Sequence, residues 1–121
     1  MAKNEYCNYI TDLLSPIGNV TAHSMFGGYG IYKDRIIFAI IVDDVLHFKV
    51  GDTNRIDYEH KGSEPFSYEA KDKKKIVMSY WQVPLDVLDD NELLCEWADK
   101  SYLISKNKQK QKKHKVKDKK V

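Results

Sequence analysis

The stretch from Arg35 to Val50 constrains the fold more than any other part of the chain. After Arg35, the run through Val42 is wholly apolar and rich in β-branched side chains, the pattern of a strand buried on both faces. Asp43 and Asp44 interrupt it. Val45 to Val50 then alternates, with Leu46, Phe48 and Val50 on one face and Val45, His47 and Lys49 on the other. A buried strand, a two-residue polar turn and an alternating strand read as an antiparallel hairpin.

Other segments extend this sheet. Val20 to Ser24 and Tyr29 to Lys33 are strand pieces around a glycine cluster, and Phe66 to Ala70 and Lys75 to Val83 alternate on either side of a lysine-rich tip at Lys71 to Lys75. Thr53 to His60 is short and polar, a candidate helical turn. Asn4 is placed to cap a helix that carries Tyr6, Ile10, Leu13 and Leu14 on one side and ends at Ser15-Pro16 and Gly18. Pro84 opens a single turn. Asp90 then caps a longer helix with Leu93, Leu94, Trp97, Ala98 and Ile104 on one side. Hairpins with helices packed on them give the α+β class, an antiparallel sheet of about five strands with flanking N- and C-terminal helices.

The glycines at Gly27, Gly28 and Gly30 raise the question of a phosphate cradle. Such a loop needs the N-terminus of a helix behind it. Here Ile31-Tyr32 and a strand follow, and Lys33 precedes Asp34 rather than Ser or Thr. A structural role in a crowded strand is the stronger reading, and a ligand-contacting glycine strand the weaker one. His23, His47, His60 and His114 have no metal-ligand spacing, and Cys7 and Cys95 form no CxxC pair. Cys7, and Ser24 beside His23, lack any nucleophile motif. Neither catalysis, a metal nor a cofactor is expected. No apolar run approaches a membrane span and the N-terminus has no signal-like segment, so a cytoplasmic protein is expected.

Charge divides the chain of 121 residues. Nine lysines and one aspartate follow Ser105, against a balance of −6 in the preceding 105 residues. The reading is a folded domain over 1–105 and a disordered lysine-rich tail over 106–121. Lys106, Lys108, Lys110, Lys112, Lys113, Lys115 and Lys117 are candidate nucleic-acid contacts without sequence readout; a merely solubilising end is the alternative. Tyr80 and Trp81 are adjacent in a strand and point to opposite faces, so one leaves the core and is a candidate partner surface.

The residues match a family. Met25-Phe26-Gly27-Gly28 with Gly30, Phe38-Ala39, Leu46 with Lys49, Pro65-Phe66, Ser79-Tyr80 with Pro84, and Leu94 with Trp97-Ala98 occur in order. Over Tyr6 to Ile104 the chain resembles the N-terminal domain of the TfoX family of bacterial competence regulators. The resemblance implies a two-layer fold similar to secretion-chaperone-like proteins, with Met25, Phe26, Gly27, Gly28, Gly30, Pro65, Phe66, Pro84 and Trp97 as structural marks. Family members usually carry a glycine in the turn where this chain has Lys33-Asp34-Arg35, and a tyrosine where it has His47. Full-length regulators have a second, helical C-terminal domain; here the lysine tail stands in that place. The implied role is a non-enzymatic regulator or adaptor in control of competence or related gene expression. It would act through an unknown protein partner, with the transcription machinery as a candidate. The alternative is a nonspecific nucleic-acid-binding module dominated by the tail.

Overall fold

The computed structural model describes residues 5–25 and 27–120, with side chains described to residue 110. The caps, turns and strands follow from local chemistry. Helix α1 (Glu5–Leu13) ends in a 3-10 turn at Ser15–Ile17, where Pro16 removes a donor and Gly18 takes φ +135°. The Asn4 cap lies outside the described residues. Six strands follow: β1 (Val20–Met25), β2 (Gly28–Lys33), β3 (Ile36–Val42), β4 (Val45–Lys49), β5 (Pro65–Glu69) and β6 (Lys75–Gln82). They form one antiparallel sheet in the order β1-β2-β3-β4-β6-β5. Helix α2 (Arg55–His60) bridges β4 to β5, and α3 (Leu85–Leu88) leads into α4 (Asn91–Lys120). The sheet has six strands where about five were expected, because the glycine-bearing β2 pairs along its whole length with both neighbours.

The two faces of the sheet differ. Ala22, Ile31, Ala39, Phe48 and Trp81 are successive partners across the strands. They meet Cys7 and Ile10 of α1, Leu14 just after it, and Leu94, Trp97, Ala98 and Tyr102 of α4 in one core. A register shift at Ile31/Tyr32 turns Phe38 into the same core, against Phe48 and Tyr102. Burial of these side chains is what holds the helices to the sheet. Asp90 caps α4 as the sequence indicates, its Oδ1 accepting from the Leu93 N–H at 3.2 Å.

The β3–β4 and β2–β3 hairpins turn through a left-handed backbone. Asp43 and Asp44 lie at φ +52° and +58°, and Asp34 and Arg35 at +51° and +69°, the mirror-image turn that suits right-twisted strands. Asp34 is anchored because Tyr102 Oη donates to its Oδ2 at 3.2 Å. Arg35 is exposed, without an ion pair among the described residues. Arg35→Gly should therefore raise the stability by about 1 kcal/mol, seen as a higher urea midpoint at unchanged slope.

Helix α4 does not stop where its apolar pattern stops. The backbone is helical to Lys120. The segment contains no proline or glycine, and lysine and glutamine are good helix formers that extend a helix already nucleated against the core.

Candidate functional site

The face away from the helices is the candidate site. Its central row runs His23, Gly30, Ile40, His47 and Gln82, paired strand to strand. Beside it, the His23 ring meets Tyr32 edge-on with centroids 5.2 Å apart. On the other flank His47 meets Phe66 at 5.3 Å, and Phe66 leads to Tyr68 at 6.4 Å. Lys49 holds its ammonium 5.1 Å from the Tyr80 ring centroid. The described helices place their buried side chains on the opposite face, so no described helix forms a second layer over this aromatic band.

The strand register decides where the two candidate partner residues point. Trp81 turns towards the helices and lies half-buried, 6.3 Å from Tyr58 between ring centroids. Tyr80 turns to the other face, yet it is only 8% exposed. Lateral packing by its neighbours buries it, and that burial, with Tyr32 nearby, pushes its pKa up to about 12. It is a neutral phenol. Tyr68, also on this face, is 48% exposed.

His47 is a second titratable group on this face that burial perturbs. It is 6% exposed, and Nδ1 lies 3.0 Å from the Val45 carbonyl oxygen, so Nδ1–H donates and Nε2 is the bare nitrogen. Burial lowers its pKa below 6.5, opposed by the smaller effect of that backbone bond. The unfolded chain therefore binds a proton at higher pH than the folded one. Stability present above pH 6.5 should fall as the pH drops below it. In His47→Tyr that component should be absent when urea midpoints are compared between about pH 7.5 and 5.

The glycine cluster sits at the β1–β2 hairpin. Gly27 takes φ +75° in the turn; Phe26 lies outside the described residues, and Met25 ends β1. A Cβ on Gly28 would stand 2.0 Å from the Ile41 carbonyl oxygen. One on Gly30 would meet Met25 Sδ at 2.8 Å and Ile37 Cδ1 at 2.9 Å. Pro65 pairs with Trp81 in the edge strand, Pro84 precedes α3, and Trp97 lies in the core.

Elsewhere the chemistry is quiet. Cys7 is buried in α1, while Cys95 directs Sγ to the Leu13 carbonyl oxygen at 3.4 Å. Burial and then Asp99 raise the Cys95 pKa, so its thiol is not activated. Among the described residues no group of three or more His, Cys, Asp or Glu is placed to hold a metal ion. None of the described helices is long and apolar enough to cross a membrane. Of the lysines after Ser105, Lys106 leans back over the Tyr102 ring at 5.8 Å, while Lys108 and Lys110 are exposed. The side chains of Lys112, Lys113, Lys115 and Lys117 lie outside those described.

Sequence reasoning missed Asn54, which is 1% exposed. Its Oδ1 accepts from the Gly51 N–H at 2.8 Å and its Nδ2 donates to the Lys49 carbonyl at 3.2 Å, fixing the exit of β4. The available signal was an asparagine three residues after a glycine in a turn. It missed Ser101 too, whose Oγ donates to the same Lys49 carbonyl at 2.7 Å and ties α4 to the sheet.

The comparisons with known proteins agree with this architecture. The TfoX N-terminal domain family matches residues 12–104. The DNA transformation protein TfoX of Haemophilus influenzae is 28% identical over 93 residues, which is 75% of this chain. The match spans 43% of that relative's length. With the family match covering the whole six-stranded sheet and the first part of α4, the chain belongs to the TfoX N-terminal domain family.

Proposed function

We propose that this chain is a non-enzymatic regulatory domain that acts in the control of competence or related gene expression, through contact with a protein of the transcription apparatus. The observation that carries this reading is the aromatic face of the sheet, from His23 and Tyr32 across to Phe66 and Tyr68, over which no described helix packs. An aromatic face of this kind, with Lys49 at its border and Gln82 in its central row, is suited to a protein surface. Support also comes from the relative named as a DNA transformation protein. A photo-crosslinking phenylalanine in place of Tyr68 should capture one discrete protein in cells of the source organism. Tyr68→Asp should lose that product and the induction of competence genes while keeping its circular dichroism. An unchanged gene response in a folded Tyr68→Asp would refute the reading.

A second reading is supported by the continuation of α4 to Lys120. A helix carrying nine lysines after Ser105 is a rod of positive charge, fit for nonspecific attraction to nucleic acid. Reversing Lys112, Lys113, Lys115 and Lys117 to Glu should then abolish DNA retention at low salt.

A further inference from the structure

A cleft separate from the aromatic face opens at the exit of β4. Pairing of β4 with β6 ends at Lys49–Tyr80, and the last bond across the gap runs from the Val50 N–H to the Ser79 carbonyl at 2.8 Å. The chain then turns away at Gly51, held by Asn54. Val77 and Met78 are thereby left without a strand on that side. From above, α4 lays Trp97, Ser101, Ile104 and Lys108 along one helical face. Ser101 bonds the end of β4 and Ile104 covers Gly51, where a Cβ would stand 3.1 Å from its Cγ2. The next position on that face is Lys108, so an apolar stripe ends in an amine above an unfilled gap. The resulting open cleft measures about 360 Å³, within the range of roughly 300–1,000 Å³ usual for small-molecule sites.

Its lining combines a flat ring with cations. Trp81, half-buried, forms part of the wall with Val50, Val77 and Met78, and Arg55 and Lys108 enter from α2 and α4. Behind the wall, Lys49 donates from Nζ to Ser79 Oγ at 2.7 Å. Neither Lys49 nor Lys108 has a carboxylate within ion-pair distance among the described residues, and Arg55 has only the exposed Glu59 at 3.5 Å. The positive charge of Lys108 adds to burial in lowering the pKa of Lys49. Asp52 is the single acid of the lining. In a body with a balance of −6 over its first 105 residues, Lys49, Arg55 and Lys108 gather here against Asp52 and Glu59, a local excess of positive charge.

We infer that this cleft binds a nucleoside phosphate, its base against Trp81 and its phosphate between Arg55 and Lys108. The apolar walls exclude water from the faces of the base, and Asp52 accepts from the sugar hydroxyls or an exocyclic amine. The same chemistry is presented by a free nucleotide and by one unit of a single strand.

The test uses the full chain, labelled with 15N and titrated separately with AMP, a deoxyadenosine decamer and inorganic phosphate. Saturable shifts are expected at the Trp81 indole N–H and the Gly51 and Val77 amides, with the Trp97 indole unmoved. Lys108→Glu should weaken binding about tenfold or more, and Lys112→Glu with Lys115→Glu by less than about threefold. Comparable binding of AMP and decamer assigns a free nucleotide; a decamer bound at least about tenfold more tightly assigns a strand. The inference fails if neither probe saturates by about 1 mM. It also fails if phosphate alone binds as well as AMP, or if the double variant weakens binding as much as Lys108→Glu, which would assign the charge attraction to the end of α4.

Discussion

Trp97→Ala should remove about 4 kcal/mol of folding free energy, the largest loss expected from a single side chain here. Trp97 is 9% exposed and packs against Tyr58 with ring centroids 4.7 Å apart at 58°. Tyr58 in turn rests against Trp81 and is itself 1% exposed. One indole thus closes a stack that joins α4, α2 and β6. Truncation leaves a cavity that the rigid sheet on one side and the helix backbone on the other cannot collapse to fill. A domain of this size has roughly 5–15 kcal/mol in total, so a large part of the margin goes with this ring. Urea unfolding should show the lower midpoint, and Trp97→Phe, which keeps a ring in place, should lose about half as much. A Trp97→Ala midpoint within about 1 kcal/mol of the parent would mean that α4 is held by Ser101 and Tyr102 instead.

The consequence reaches beyond stability. Ser101, Ile104 and Lys108 keep their places only while α4 is docked, because they follow Trp97 along the same helical face. The cleft at the exit of β4 should therefore be lost together with the Trp97 stack. The aromatic face on the other side of the sheet depends on strand register and not on α4, and it should outlast partial undocking. Nucleotide binding and partner capture are thus separable by graded destabilisation of α4.

Much of the fold was legible because it rests on local periodicity. The apolar run before Asp43 has both faces buried, the Asp43-Asp44 turn is tight, and Asp90 caps α4. Each depends on side chains within a few residues of one another. What was hidden depends on strand order. Alternation puts His47, Lys49 and Tyr80 on the face away from the helices, and by that rule they should be open to water. Pairing His47 with Ile40 and Lys49 with Tyr80 surrounds them laterally instead. Tyr80 and Trp81 were correctly set on opposite faces, but which one faces α4 is fixed only by β4–β6 pairing across 30 intervening residues. The cleft was invisible for the same reason. Its members come from the turn after β4, the start of β5, the length of β6, from α2 and from a lysine of α4 that reads as tail in the sequence.

Gly28→Ala is expected to cost about 3 kcal/mol, and comparison with its neighbours tests what the glycine cluster is for. At Gly28 the added methyl would lie 2.0 Å from a backbone oxygen of β3, which cannot move without breaking the β2–β3 pairing. At Gly30 the methyl meets Met25 Sδ and Ile37 Cδ1, both ends of flexible side chains, so partial repacking should hold the loss to about 1–2 kcal/mol. At Gly27 nothing lies within 4 Å and the cost is that of a left-handed alanine alone, about 1 kcal/mol. A packing role therefore predicts the order Gly28, Gly30, Gly27 in urea midpoints. A ligand cradle predicts a different order, because the most exposed glycine, Gly27, would be the most sensitive in binding while barely moving stability. If alanine at Gly28 left the midpoint unchanged, the close approach of β2 to β3 would not be what reserves this position for glycine. The expected ranking instead makes the cluster the place where two strands come too near for any side chain. That explains why glycine recurs in a strand paired on both sides, between β1 and β3.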